Sequence, residues 1–259
     1  MTQETLPMLA TDPPEPRLTV TEHLEELRRR LTVCVLTIVA TTVLGFLWAD
    51  RVIEWLRRPA GDLLPRLAFF SPTEALLAYC KVALITGVAL AMPMVLYHIW
   101  AFIRDGLTPR ERRYGLILVG WGSALFAAGV AFAYALCVPM FLQFLLRIGG
   151  PSLEPVISIN QYLGFVTGVL LSCGVMFELP LALVVLAKLG IVTPAFLERQ
   201  RSWALVVILI IAAVVTPTTD AFTMVLMALP LFVLYEASIW ICRLTVRPRE
   251  SSGAQSVRH

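Results

Sequence analysis

The sequence predicts an all-α integral membrane protein with six transmembrane helices, the last two short, in a curved, concave, glove-like arrangement with both termini cytoplasmic. Three observations carry that expectation. Of 259 residues, 58% are hydrophobic and 15% charged, with a mean hydropathy of +0.78, whereas soluble domains carry about 25% charged residues. The remaining charge is segregated, which leaves long stretches free of Asp, Glu, Lys and Arg. Lys and Arg are also divided unequally between the two sides that those stretches define.

A span of a 30 Å hydrocarbon core needs about 20 apolar residues at 1.5 Å each. Uncharged stretches cover 31–49, 82–103, 114–146, 155–177, 202–219 and 221–235, the last bounded by Glu236. The stretch 114–146 reads either as one long helix bent at Pro139 or as two half-length crossings. Loop charge decides between them: six spans place 15 Lys and Arg on one side and 5 on the other, whereas splitting the stretch gives near parity. Six spans, with the basic side and both termini in the cytoplasm, follow. Residues 19–243 then form one membrane domain, and 1–18 and 244–259 are read as disordered cytoplasmic tails. The N-terminus has acids and prolines where a cleavable signal peptide has a basic and then an apolar region.

The helix starts are marked by S/T-x-x-E/Q, whose first and fourth side chains satisfy each other's orphan N–H groups. Ser71 with Glu74 opens the second span, Thr108 with Glu111 the third, Ser158 with Gln161 the fourth, and Thr19 with Glu22 a helix leading into the first. Val52, Ile53, Trp55 and Leu56 recur at helical spacing among charges, which predicts a short amphipathic helix on the outer face that Pro59 ends. Thr216-Pro217-Thr218-Thr219-Asp220 is a turn, and it leaves Trp203–Val215 as a fifth span of about 20 Å, too short for an unperturbed bilayer. Spans two to four are long enough to tilt or project, so the set reads as a shallow curved wall.

A net charge of +3 without dense basic clusters gives no footprint for nucleic acid. The five cysteines, all in apolar stretches without CxxC spacing, imply neither disulfide framework nor metal site. No HExxH, GxSxG or phosphate-binding glycine loop occurs, and His23, His98 and His259 are dispersed, so neither an enzyme nor a cofactor is expected.

What remains is charge in unusual places. Glu178, in Phe177-Glu178-Leu179-Pro180, lies deep in the fourth apolar stretch. It either serves a function in a wet or protein-lined cavity or is a neutral side chain bonding a carbonyl freed by Pro180. In the run His23–Arg30, Glu25 with Arg29 and Glu26 with Arg30 are favourable i,i+4 pairs. Glu111 reads as the capping-box residue of the third span, yet it and the acids Glu22, Glu25 and Glu26 give each of two cytoplasmic patches a carboxylate, and paired carboxylates suit a ligand bearing guanidinium groups. Asp220 is a helix cap or a functional acid. Lys81 can snorkel outward from span two, and Gly164, Gly168 and Ser172 form a small-residue ridge on span four.

Taken in order, these motifs resemble the TatC family, the multi-spanning signal-peptide receptor subunit of the twin-arginine protein translocase. The matching runs are His23-Leu24-Glu25-Glu26-Leu27-Arg28-Arg29-Arg30-Leu31, Ser71-Pro72-Thr73-Glu74-Ala75 and Tyr97–Ile103 followed by Glu111-Arg112-Arg113. Further matches are Phe132-Ala133-Tyr134, Phe177-Glu178-Leu179-Pro180, Thr216-Pro217 with Asp220, Ala228-Leu229-Pro230 and Leu234-Tyr235-Glu236. The resemblance implies that Glu26 and Glu111, supported by Arg28, Phe102 and Arg113, bind the paired arginines of an export signal peptide. It also implies that Glu178 faces a membrane pocket for partners and for the peptide's apolar segment, with Pro59 and Asp220 shaping that pocket from the outer side. Expected partners are signal peptides of folded precursors and the single-span TatA- and TatB-type subunits, in a multi-copy complex of the bacterial inner membrane driven by the proton-motive force. Asp105, where relatives often have proline, and Met224, where some carry a polar residue, depart from the pattern. The alternative is a proton-coupled secondary transporter using Glu178 and Asp220, although the sequence lacks the paired repeats of one.

Overall fold

A computed structural model of the chain describes residues 20–63, 67–103, 115–148, 156–215 and 220–245, nearly all of them helical. Five of its helical stretches are long and apolar enough to cross a membrane: Leu24–Leu47, Pro72–Ile103, Gly115–Ile148, Ile159–Lys188 and Ala221–Thr245. A sixth, Arg201–Val215, is apolar but has only 15 residues, about 22 Å against a 30 Å hydrocarbon core.

Helix α1 (Val20–Leu47) packs along α3 (Pro72–Ile103) and exposes the rest of its apolar surface. The contact is close because Gly87 has no side chain. A Cβ there would lie 2.6 Å from the Thr42 backbone nitrogen, and Thr41 Oγ1 donates to the Gly87 carbonyl at 2.8 Å.

Helix α2 (Ala49–Arg57) is the expected amphipathic helix, burying Ala49, Ile53 and Leu56 at helical spacing. It stops at Arg57, and the tighter turn Arg58–Leu63 carries Pro59, as proline's missing donor requires. The last carbonyls of a helix have no intrahelical donor, and here tyrosines supply them. Tyr134 Oη donates to Trp55 O at 2.9 Å and Tyr162 Oη to Leu56 O at 2.8 Å. Tyr134 also stacks on Trp55 with ring centroids 3.8 Å apart, and Tyr79 Oη donates to Asp50 at the other end of the helix. Tyr162→Phe is expected to leave the buried Leu56 carbonyl unpaired at a cost of about 1–2 kcal/mol. Hydrogen exchange should then quicken selectively in α2.

The segments that lead into α3 and α6 (Ile159–Met176) are joined beside α2. Ser158 caps α6, its Oγ accepting from Gln161 N at 3.4 Å, and it also donates to Glu74. Ala68 pairs with Ser158 in a short parallel bridge. The box at Ser71 differs from the expected one. Glu74 reaches back to Phe70 N at 2.8 Å, and the Ser71 hydroxyl bonds Thr73 instead. Thr19 and the box at Thr108 with Glu111 lie outside the described residues.

From Gly115 on, the third uncharged stretch is one continuous course, α4 (Gly115–Phe132), a π-turn (Ala133–Cys137) and α5 (Val138–Ile148). Pro139 cannot donate, and the ladder adapts just before it by pairing Val138 N–H with Ala133 O, five residues back. The next course breaks at Phe177–Glu178 between α6 and α7 (Leu179–Lys188), where Pro180 removes a donor.

The final helix is longer than its uncharged stretch. After α8 (Pro194–Arg199) and α9 (Arg201–Val215), α10 runs from Ala221 through Glu236 to Thr245. Its charged turn is held rather than ended. Arg201 Nε pairs with Glu236 at 2.8 Å, Arg243 Nη2 with Glu198 at 2.5 Å, and Tyr235 Oη donates to Leu197 O at 2.7 Å. Of the last two segments, therefore, only α9 is short. The common core, with Tyr162, Phe141, Leu163, Val166 and Met227 wholly buried, lies where α3, α5, α6 and α10 meet.

Candidate functional site

Two features of the end opposite α2 form the site. The first is on α1, where Arg30 Nε donates to Glu26 Oε1 at 3.0 Å and Nη2 joins the same oxygen. Their side chains are 20% (Glu26) and 13% (Arg30) exposed. Arg28 projects to the exposed side of the same turn. Glu25 and Arg29, the other expected pair, form no ion pair among the described residues. Phe102 is half-buried at the end of α3.

The segment bearing Glu111 and Arg113 lies outside the described residues, but its two ends are fixed against each other. It leaves α3 at Ile103 and returns at Gly115, and Gly115 is pressed onto Trp100, so that a Cβ on it would collide with the indole nitrogen. Glycine is required there by close approach.

The second feature is a cavity of about 330 Å³ between α3, α4 and α7. Trp100 and Ile103 line one end, Leu118, Val119 and Val185 its walls, and among the described residues Glu178 is the one titratable group in the lining. Both Glu178 carboxylate oxygens are buried and lack a hydrogen-bond partner among the described residues. The bond to a carbonyl freed by Pro180 therefore does not form. Gly122 makes room for the carboxylate, since a Cβ there would stand 3.1 Å from Oε2.

The other implied residues sit elsewhere. Pro59 is half-buried in the turn after α2. Asp220 caps α10, with Oδ1 accepting from Thr223 N at 2.8 Å and Oδ2 from Thr223 Oγ1 at 2.7 Å. Thr216 and Pro217 lie outside the described residues. Cys173 Sγ touches Met227 Sδ at 3.7 Å, which sets the register of α6 against α10. Glu178 and Asp220 then lie about 18 Å apart along the helix axes, too far for the direct proton relay of a transporter.

Comparison with known proteins decides the family. The model of the Sec-independent protein translocase protein (TatC) matches residues 22–230. The chain belongs to the TatC family. The TatC of Carboxydothermus hydrogenoformans is 38% identical over 236 residues, covering 91% of this chain and 97% of the relative. The TatC of Aquifex aeolicus is 37% identical over 235 residues, covering 89% and 97%. A crystal structure of the twin arginine translocase receptor TatC superposes with a TM-score of 0.78 at 36% identity, covering 87% of this chain and all of that one. The match takes in Glu26, Glu111 and Glu178 together.

Sequence reasoning did not single out His98, which reads there as one of three dispersed histidines and as part of the run Tyr97–Ile103. Both of its ring nitrogens are buried without a partner among the described residues. A polar residue among apolar ones one turn before Phe102 was the available signal.

Proposed function

We propose that this TatC-family chain binds twin-arginine signal peptides through Glu26 and Glu111, with Arg28, Phe102 and Arg113 around them, and lodges the peptide's apolar segment along the cavity that leads to Glu178. The chain is the receptor subunit of the twin-arginine translocation system and a multi-pass membrane protein. The observation that carries the residue-level reading is the continuity of the cavity. Trp100 and Ile103 line it next to Phe102, at the start of the segment that bears Glu111, and from there it runs inward to a single buried carboxylate. A signal peptide has the matching order, basic residues followed by an apolar stretch. Guanidinium groups pair with carboxylates at the membrane surface, and the apolar stretch enters a wall that needs no polar partner.

In this reading six spans, with short α9 completing the set, form a concave glove-like wall with both termini in the cytoplasm. Residues 19–243 make one domain between the two terminal tails. TatA- and TatB-type subunits dock in several copies around Glu178, Pro59 and Asp220 form the outer rim, and the proton-motive force drives transport. This subunit performs no chemistry of its own.

Photocrosslinking from probes at Phe102 and beside Glu111, with Arg-Arg and Lys-Lys signal peptides, tests the reading. Crosslinks that require Arg-Arg are expected. Their absence in a correctly inserted protein with partner subunits present would return both carboxylates to ion pairing and capping.

A further inference from the structure

A second cavity, of about 220 Å³, lies against α2 and has no part in the signal-peptide reading. Val52, Trp55 and Leu56 of α2 line it together with Ala89 of α3, Phe126 of α4 and Leu170 of α6, and the lining is almost wholly apolar. It is separate from the Glu178 cavity. Along α4, Val119 lines that one and Phe126 this one, about 10 Å further on.

The cavity has the size and place for a hydrocarbon chain. Its walls offer water almost nothing to bond, and Thr167 turns its own hydroxyl to the Leu163 carbonyl. A helix about 10 Å across fills roughly 400 Å³ per turn, so the space takes a single chain rather than a partner helix. α2 begins at Ala49, two residues after α1 ends at Leu47. It therefore sits where a span leaves the hydrocarbon, and a chain lodged against Trp55 has its headgroup at the level of α2.

Cations stand at that level. Arg51 and Arg58 lie one turn before and one turn after Trp55 on the same side of α2, and Arg58 keeps a helical backbone. Both are exposed and form no ion pair among the described residues. Arg58 is also within electrostatic reach of Tyr134, whose ring stacks on Trp55 at the cavity. We propose that this is a binding site for one anionic phospholipid, with an acyl chain in the cavity and the phosphate held by Arg51 and Arg58. Guanidinium forks match phosphate oxygens, and interfacial helices with arginine on the polar face and tryptophan at its edge attract anionic lipid. Glu54 lies between the two arginines in the chain and lowers the local charge, but among the described residues it pairs with neither.

The test uses the full-length protein in a neutral detergent. Native mass spectrometry counts bound lipid while phosphatidylglycerol or phosphatidylcholine with the same acyl chains is added. The wild type is expected to hold one phosphatidylglycerol with an affinity about tenfold above that for phosphatidylcholine. Arg51→Gln with Arg58→Gln should bring the two lipids level. Arg51→Lys with Arg58→Lys, which keeps the charge, should keep most of the preference and guards against a folding defect in the first pair. Ala89→Leu, which fills the cavity, should weaken both lipids alike. Arg57→Gln is the control, because Arg57 falls on the other flank of α2, and it should leave the preference unchanged. Equal affinity of the wild type for both lipids overturns the proposal, as does a preference that survives the double glutamine variant. A loss in Arg57→Gln as large as in the double variant would reduce the effect to the overall charge of α2, and unaltered binding in Ala89→Leu would remove the chain from the cavity. Either result also overturns the site.

Discussion

Glu26→Lys is expected to weaken binding of an Arg-Arg signal peptide by about a hundredfold or more, because charge reversal replaces a charge-assisted contact with repulsion. The protein itself should tolerate the change. The Glu26–Arg30 pair sits near the start of a long helix, and an i,i+4 pair there contributes about 0.3–0.5 kcal/mol, with a like-charge pair costing a similar amount. Thermal unfolding of the purified variant should thus move little while peptide binding collapses. Glu111→Lys should show the same separation. Normal Arg-Arg binding by either inserted variant would sink the assignment, and tolerance of alanine at both positions would favour a scaffold without a specific ligand.

The parts of the fold that depend on local chemistry were legible in the sequence. The apolar stretches, the amphipathic α2 and the cap at Ser158 each rest on residues a few positions apart, and each forms as the spacing predicts. Features that depend on tertiary partners were less legible. Glu236 looks like the end of the last apolar stretch, yet Arg201 pairs with it and the helix continues for more than two turns. Ser71 looks like a reciprocal cap, but Glu74 is shared with Ser158 from a distant loop. The tyrosines that finish α2 come from three different elements, and no periodicity announces them.

The site divides in the same way. A charge inside an apolar stretch singled out Glu178, because burying a carboxylate is expensive wherever the fold puts it. The cavity beside it needs α3, α4 and α7 assembled, and the order of residues does not reveal it. For Glu26 the sequence left ion pairing and ligand binding side by side. The structure shows the ion pair in place. Asp220 resolves toward capping, since both carboxylate oxygens bond Thr223.

Glu178→Leu should raise the stability of the isolated protein and abolish transport. Both carboxylate oxygens are buried without a partner among the described residues, and the surrounding walls are apolar. An unsatisfied buried polar group costs about 1–3 kcal/mol, and an apolar side chain of similar volume removes that cost. The substituted side chain would meet Leu181 and Leu96, which already crowd Gly122 beside the carboxylate. In the proposed reading a ligand supplies the missing hydrogen bonds, since functional sites commonly carry strain that the rest of the fold supports. Partner subunits with a polar group at membrane depth would supply them. Glu178→Gln, which keeps the size and the hydrogen-bonding capacity, should retain more transport than Glu178→Leu. The checks are the unfolding temperature in detergent and export of a folded reporter in cells. A fall in unfolding temperature for Glu178→Leu would mean that the carboxylate is paired within the subunit, and full export would mean that the cavity works without it.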